Sequence, residues 1–168
     1  PDDLVAYVQE TQSEEWAKFR KWHNGDSAKM FVKRVAEQLD KWGTLHLLRK
    51  GFKDRDAKFF LCQLRPANRK NPNLIEWYGK NRLTCIRQLH YSVHNENSID
   101  LVFFVNGLAV GTAELKTDLT QSIADAILQY RKDRPPKDPK TKEPEPLLQF
   151  KTRALVHFAV STDQVFMT

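Results

Sequence analysis

Three residues could do chemistry in this sequence: Asp100, Glu114 and Lys116, in the stretch SIDLVFFVNGLAVGTAELKTD that runs from Ser98 to Asp118. Most of the stretch reads as two apolar strands around an Asn-Gly turn, with charges at the strand ends. A buried charge is costly unless it is paired or binds a metal. These ends are therefore either solvated at a sheet rim or gathered around a site. Two carboxylates offer the hard oxygens that Mg²⁺ takes while it keeps several waters. The backbone carbonyl of Leu115, between Glu114 and Lys116, would be a third ligand. The lysine could orient a water, or stabilise the charge that develops on a phosphodiester under attack. An Asp followed by Glu-x-Lys is a weak pattern alone, and strand ends often carry solvated charges.

Hairpin arithmetic decides whether these residues can meet. With a symmetric two-residue turn at Asn106-Gly107, Val105 pairs with Leu108, Asp100 faces Ala113, and Glu114 points to the other side. A three-residue turn, or a bulge at Gly111, shifts the register by one. Asp100 then lies opposite Glu114, with Lys116 on the same face. A lone glycine inside a strand marks such bulges. An irregularity of one residue is therefore predicted between Asn106 and Gly111.

Periodicity and breakers place the surrounding elements. TQSEEWAKFRKWHNG reads as a short helix, capped by Thr11 or Ser13, carrying Glu14 and Glu15 in its first turn and closed by Asn24-Gly25. GDSAKMFVKRVAEQLDKWG reads as a longer one, capped by Asp26 or Ser27, with Met30, Phe31, Val35, Leu39 and Trp42 near one face. TLHLLRKGF and AKFFLCQL read as strands, RPANRKNPNLIEWYGKNR as loop, and LTCIRQLHYSV as a strand followed by an HNEN turn. TQSIADAILQYRKD reads as a helix, and the five prolines of RPPKDPKTKEPEP make that segment a charged surface loop. RALVHFAVST reads as a buried strand, and QVFMT begins another. This order points to an α/β fold in which helices flank a mixed central sheet.

The 168 residues fit a single domain with a real core, and the net charge of +6 permits a polyanionic partner without demanding one. Cys62 and Cys85 have no CxxC spacing and read as inert core thiols in a reducing compartment. No run is long and apolar enough for a membrane span, so no membrane partner is expected. Arg49, Lys50, Lys53, Arg55 and Lys58 form a basic connector that is either solvated surface or a phosphate contact. The histidines show no metal spacing, and His157 reads as a core histidine. The start at Pro1 and the end within VFMT suggest a piece of a longer chain.

The Ser98–Asp118 stretch resembles the nuclease core of the PD-(D/E)xK superfamily. More narrowly, it is similar to the amino-terminal nuclease domain of the R (restriction and motor) subunit of type I restriction-modification enzymes. The likeness rests on an Asp-bearing strand, an Asn-Gly turn, a second apolar strand and Glu-Leu-Lys. It continues through QSIADAILQYRKDR and into EPLLQFKTRALVHFAVSTDQVFMT. The resemblance implies a restriction-endonuclease-like core over residues 1–168, with Asp100 and Glu114 as Mg²⁺ ligands and Lys116 as the catalytic lysine. It implies double-stranded DNA as substrate, methylation and specificity subunits as partners, and a cytoplasmic location. It also implies an ATP-driven motor beyond Thr168. This chain has no Gly-x-x-x-x-Gly-Lys-Ser/Thr loop, so ATP is assigned to the motor alone.

The sequence departs from the family pattern at two places. Many relatives carry Gln-x-x-x-Tyr on the helix after the lysine. Here Gln129 and Tyr130 are adjacent, and Asp133 holds the tyrosine position. Gln129 is an accessory candidate, whereas Tyr130 either substitutes or belongs to the core. Relatives also carry an acidic residue on an early helix; Glu37 is the candidate, against a solvated helix face. Arg131, Lys132 and Arg134 follow the site. They either contact phosphates, together with Lys116 and Gln129, or simply suit a helix C-terminus. Two other readings stay open. One is a nuclease-like domain that binds DNA or packs on partner subunits without cutting. The other is a nuclease of the same superfamily in another DNA pathway.

Overall fold

A computed structural model describes residues 1–23, 25–116 and 122–167. The predicted turn residue Asn24 and the predicted first residues of the helix after Lys116 lie outside the described residues. The chain is mixed α/β and divides into two compact units: Pro1–Thr84 with Val105–Leu108, and Cys85–Phe104 with Ala109–Thr168.

The first unit is built from helices around an aromatic core. These are α1 (Asp2–Thr11), α2 (Ser13–Trp22), α3 (Ser27–Trp42) and α4 (Thr44–Lys50). Tyr7, Phe19, Phe31, Leu47, Phe59 and Leu61 are fully buried there. The face expected on α3 buries Phe31, Val35 and Leu39, while Met30 and Trp42 stay at its exposed margin. Asp26 caps α3 by accepting from the Lys29 amide at 2.9 Å. Neither Thr11 nor Ser13 caps α2; the Thr11 hydroxyl donates instead to the Tyr7 carbonyl, one turn back in α1.

Two segments of this unit differ from the sequence expectation, and α1 precedes the first element expected. TLHLLRK forms α4 instead of a strand. Gly43 and Gly51 bracket α4 with φ of 82° and 64°. A Cβ at Gly51 would meet the Phe59 carbonyl oxygen at 1.8 Å, so the chain must turn there without a side chain. The helix buries Leu47, and a hairpin of β1 (Phe52–Asp54) and β2 (Ala57–Phe59) follows. The Pro/Asn-rich stretch expected to be loop contains α5 (Pro72–Gly79). Asn71 caps it, accepting from the Asn73 and Leu74 amides, and Pro72 fits the first turn, where no amide partner is needed.

The second unit holds most of a five-stranded mixed sheet in the order β3-β4-β5-β6-β7. Its strands are β3 (Leu83–His90), β4 (Ser98–Val105), β5 (Leu108–Leu115), β6 (Val156–Val160) and β7 (Val165–Met167). β5 pairs parallel with β6, from Gly111 opposite Val156 to Leu115 opposite Val160, and β6 pairs antiparallel with β7. α6 (Ile123–Leu128) packs on β6 and runs straight into a π-helical turn, Gln129–Asp133. The proline-rich loop is not all surface. Asp138 and Glu145 are buried, and Leu148 joins Ile99, Val102 and Ala109 in a core cluster. Of the two thiols, Cys62 is buried and pushed up to about 11 by that burial, while Cys85 is exposed on β3.

Candidate metal centre

The hairpin of β4 and β5 brings the first two candidates together. Asn106 and Gly107 have φ of 49° and 75°, the paired left-handed geometry of a two-residue type I′ turn. The turn is therefore the symmetric form, not the three-residue one. Asn106 is fully buried: its side chain accepts from the Arg82 amide at 2.7 Å and donates to the Leu61 carbonyl at 2.8 Å.

A regular ladder from this turn would set Asp100 opposite Ala113 and turn Glu114 away. Instead Asp100 accepts from the amide of Leu115, the residue after Glu114, and its charge adds to the rise of the Glu114 pKa. A Cβ built on Gly111 would lie 3.7 Å from the Phe103 ring, on the face that a regular ladder assigns to Val102. Both contacts fit the one-residue irregularity expected between the turn and Gly111, which beside a two-residue turn would lie in the strand.

Asp100 is held on both oxygens. Its Oδ2 accepts from the Leu115 amide at 2.7 Å, and its Oδ1 accepts from the Gln88 carboxamide at 2.7 Å. Glu114 is 2% exposed and lies against Arg134, whose guanidinium is 10% exposed and reaches Glu114 Oε1 at 3.2 Å. Arg134 also donates to the Ser98 carbonyl at 2.8 Å. Burial pushes the Glu114 carboxyl up to about 7; Arg134 opposes that rise, and Asp100 adds to it. The Lys116 amide donates to the Val160 carbonyl at 2.8 Å, which carries the β5·β6 ladder one residue past Leu115. Lys116 is the first residue past β5 and is half-buried.

The other candidates fall in different places. Tyr130 is half-buried; its hydroxyl shares a 2.7 Å hydrogen bond with Thr112, and its ring lies 5.2 Å from His157. Burial holds the Tyr130 hydroxyl well above its usual range. His157 is tied to Thr112 at 2.7 Å, and burial lowers its pKa. Gln129 stands next to Tyr130 in the π turn, and its Oε1 is a buried atom without a hydrogen-bond partner among the described residues. Arg131 and Lys132 are exposed. Glu37 belongs to the first unit and pairs with Arg34 on α3.

Two participants were not foreseen. Gln88 lies on β3, twelve residues before Asp100, and no sequence pattern points to it. Arg134, read from the sequence as a phosphate contact or a helix-end cation, turns its guanidinium to Glu114 instead; it is half-buried, whereas Arg131 and Lys132 are exposed.

Glu114 is buried against Arg134 while Asp100 is half-buried beside it, so a cation between the two carboxyls would add to the charge that Arg134 already supplies. The donor set is all oxygen, which suits Mg²⁺ better than zinc. Among the described residues there is no cluster of three or more His, Cys, Asp or Glu side chains, so any cation here would keep several waters.

A five-stranded mixed sheet flanked by helices is the architecture of a restriction-endonuclease-like fold. The family model of the type I restriction enzyme R protein N terminus matches residues 7–167, and this chain belongs to that family. No curated protein and no solved structure matches the chain.

Proposed function

We propose that the chain is the Mg²⁺-dependent DNA endonuclease domain of a type I restriction enzyme. The observation that carries this reading is the convergence of Asp100 and Glu114 at the ends of β4 and β5, where Asp100 accepts from the amide of Leu115, the residue after Glu114, at 2.7 Å. In it, Asp100, Glu114 and the Leu115 carbonyl hold Mg²⁺, which when bound polarises the phosphodiester and favours a hydroxide-like water. Gln88 and the Leu115 amide fix the Asp100 carboxylate, so its orientation is set before substrate arrives. Lys116 orients the attacking water or neutralises charge on the phosphoryl oxygens. Gln129, with a buried Oε1 that lacks a partner among the described residues, accepts from a site water or from the nucleotide. Arg131 and Lys132 contact flanking phosphates. The whole enzyme would act in the cytoplasm on double-stranded DNA, with methylation and specificity subunits and an ATP-driven motor outside these residues.

One observation favours a second reading, in which the domain binds DNA or packs on its partners without cutting. Glu114 already has a cationic partner in Arg134. Calorimetric titration with Mn²⁺ separates the two. The nuclease reading expects wild type to bind and folded Asp100→Ala and Glu114→Ala variants to lose binding. Equal binding by all three, or no binding even with DNA present, sinks it.

A further inference from the structure

We infer that Gln88 is a positioning residue that holds Asp100 in its metal-binding orientation; the inference rests on the metal site proposed above. Among the described residues, five non-glycine residues have positive φ: Arg55, Gln88, Asn106, Lys142 and Lys151. Four of them lie in turns or loops. Gln88 alone sits inside a strand, with φ of 48° in the middle of β3.

That conformation is unfavourable for a residue with a Cβ, and it persists only where the surroundings impose it. No packing at Gln88 does so, because the residue is exposed. What the left-handed turn achieves is direction. The carboxamide nitrogen donates to Asp100 Oδ1 at 2.7 Å. The carboxamide oxygen accepts from the Ser98 hydroxyl at 3.3 Å, on the same strand as Asp100 and two residues before it. The Ser98 contact fixes which end of the amide faces the carboxylate, since an oxygen there would repel it. With the Leu115 amide on Oδ2, each Asp100 oxygen has one fixed donor and keeps a lone pair for a cation. A backbone strained at the surface to orient a ligand oxygen is what a second ring of support around a metal looks like.

Two variants separate positioning from scaffolding. Gln88→Gly accepts the left-handed backbone freely and removes the amide. Gln88→Asn tolerates that backbone and keeps an amide one methylene too short to reach. Mn²⁺ affinity is measured by calorimetry, and thermal stability is measured without metal, alongside wild type and Asp100→Ala. Both Gln88 variants should bind Mn²⁺ about 10- to 100-fold more weakly than wild type. Metal-free Gln88→Gly should melt at or above the wild-type temperature, because strain is released. If both variants bind like wild type while Asp100→Ala does not bind, the inference fails and the metal site stands. If affinity falls only together with metal-free melting temperature in both variants, Gln88 is scaffolding and the inference fails. If wild type itself does not bind, inference and metal site fall together.

Discussion

Glu114 and Arg134 form the most consequential pair of side chains in the second unit. The carboxylate is 2% exposed and the guanidinium 10%, so neither has water to fall back on if the other is removed. Removing one partner of such a pair costs about 3–5 kcal/mol, an upper figure here because Glu114, already raised to about 7, would protonate once Arg134 is gone. Arg134→Ala should therefore lower the free energy of unfolding by up to that amount in urea titrations, while Arg131→Ala and Lys132→Ala change it by less than about 0.5 kcal/mol. His157 makes a prediction of opposite chemistry. Burial lowers its pKa and keeps it neutral in the fold, bonded to Thr112. The unfolded chain takes up the proton first, so this contribution is present above pH of about 6.5 and is lost as pH falls toward the lower folded value. His157→Gln should flatten the drop in melting temperature between pH 7.5 and pH 5.5, approximate values chosen to straddle the ordinary histidine range. An identical drop in the variant would show that other groups govern it.

Gly51 and the π turn show how single backbone positions place whole elements. Gly51 ends α4 at φ of 64° with no room for a Cβ, since the obstacle is the Phe59 backbone itself. Gly51→Ala should cost about 2–4 kcal/mol from left-handed strain plus the forced shift of β2, read from denaturant midpoints. An effect below about 0.5 kcal/mol would show that β2 yields easily. The π turn ends at Asp133, and Arg134 has left the helix at φ of −117°, with its guanidinium at Glu114; Asp133, in the family's tyrosine position, is exposed. Strand alternation, the Asn-Gly turn and the lone Gly111 made the meeting of Asp100 and Glu114 legible in the sequence. The π insertion was not legible, because QYRKD continues a helical pattern without a break. Gln88 was hidden for a related reason: nothing in LTCIRQLHYSV distinguishes a left-handed residue from an ordinary strand residue. α4 and α5 were missed where brackets were taken for breakers. Gly43 and Gly51 close a seven-residue helix, and Asn71-Pro72 opens an eight-residue one.

The net charge of +6 falls on the first unit, the second having ten Lys or Arg against ten Asp or Glu, yet net charge does not say which individual cations are free to meet DNA. The surroundings of each cluster do. In the first unit, Arg55 lies over the Trp22 ring at 4.6 Å and Lys58 over the Phe60 ring at 4.8 Å, so both cations already rest on aromatic faces. In the second, Arg131 and Lys132 are exposed at the end of the π turn, beside the residue that pairs with Glu114. On the proposed reading, phosphates lie along this second surface. Binding to duplex DNA should then be indifferent to sequence and fall linearly in log–log form with salt, each phosphate contact contributing about 0.9 to the slope. Arg131→Ala and Lys132→Ala should each reduce the slope by about one and weaken binding equally on unrelated duplexes, as phosphate contacts do. Arg55→Ala and Lys58→Ala should leave the slope unchanged. Fluorescence anisotropy across a salt series reads all four. Loss of slope in the Arg55 and Lys58 variants, with none in the other two, would move the DNA to the first unit and away from Asp100 and Glu114.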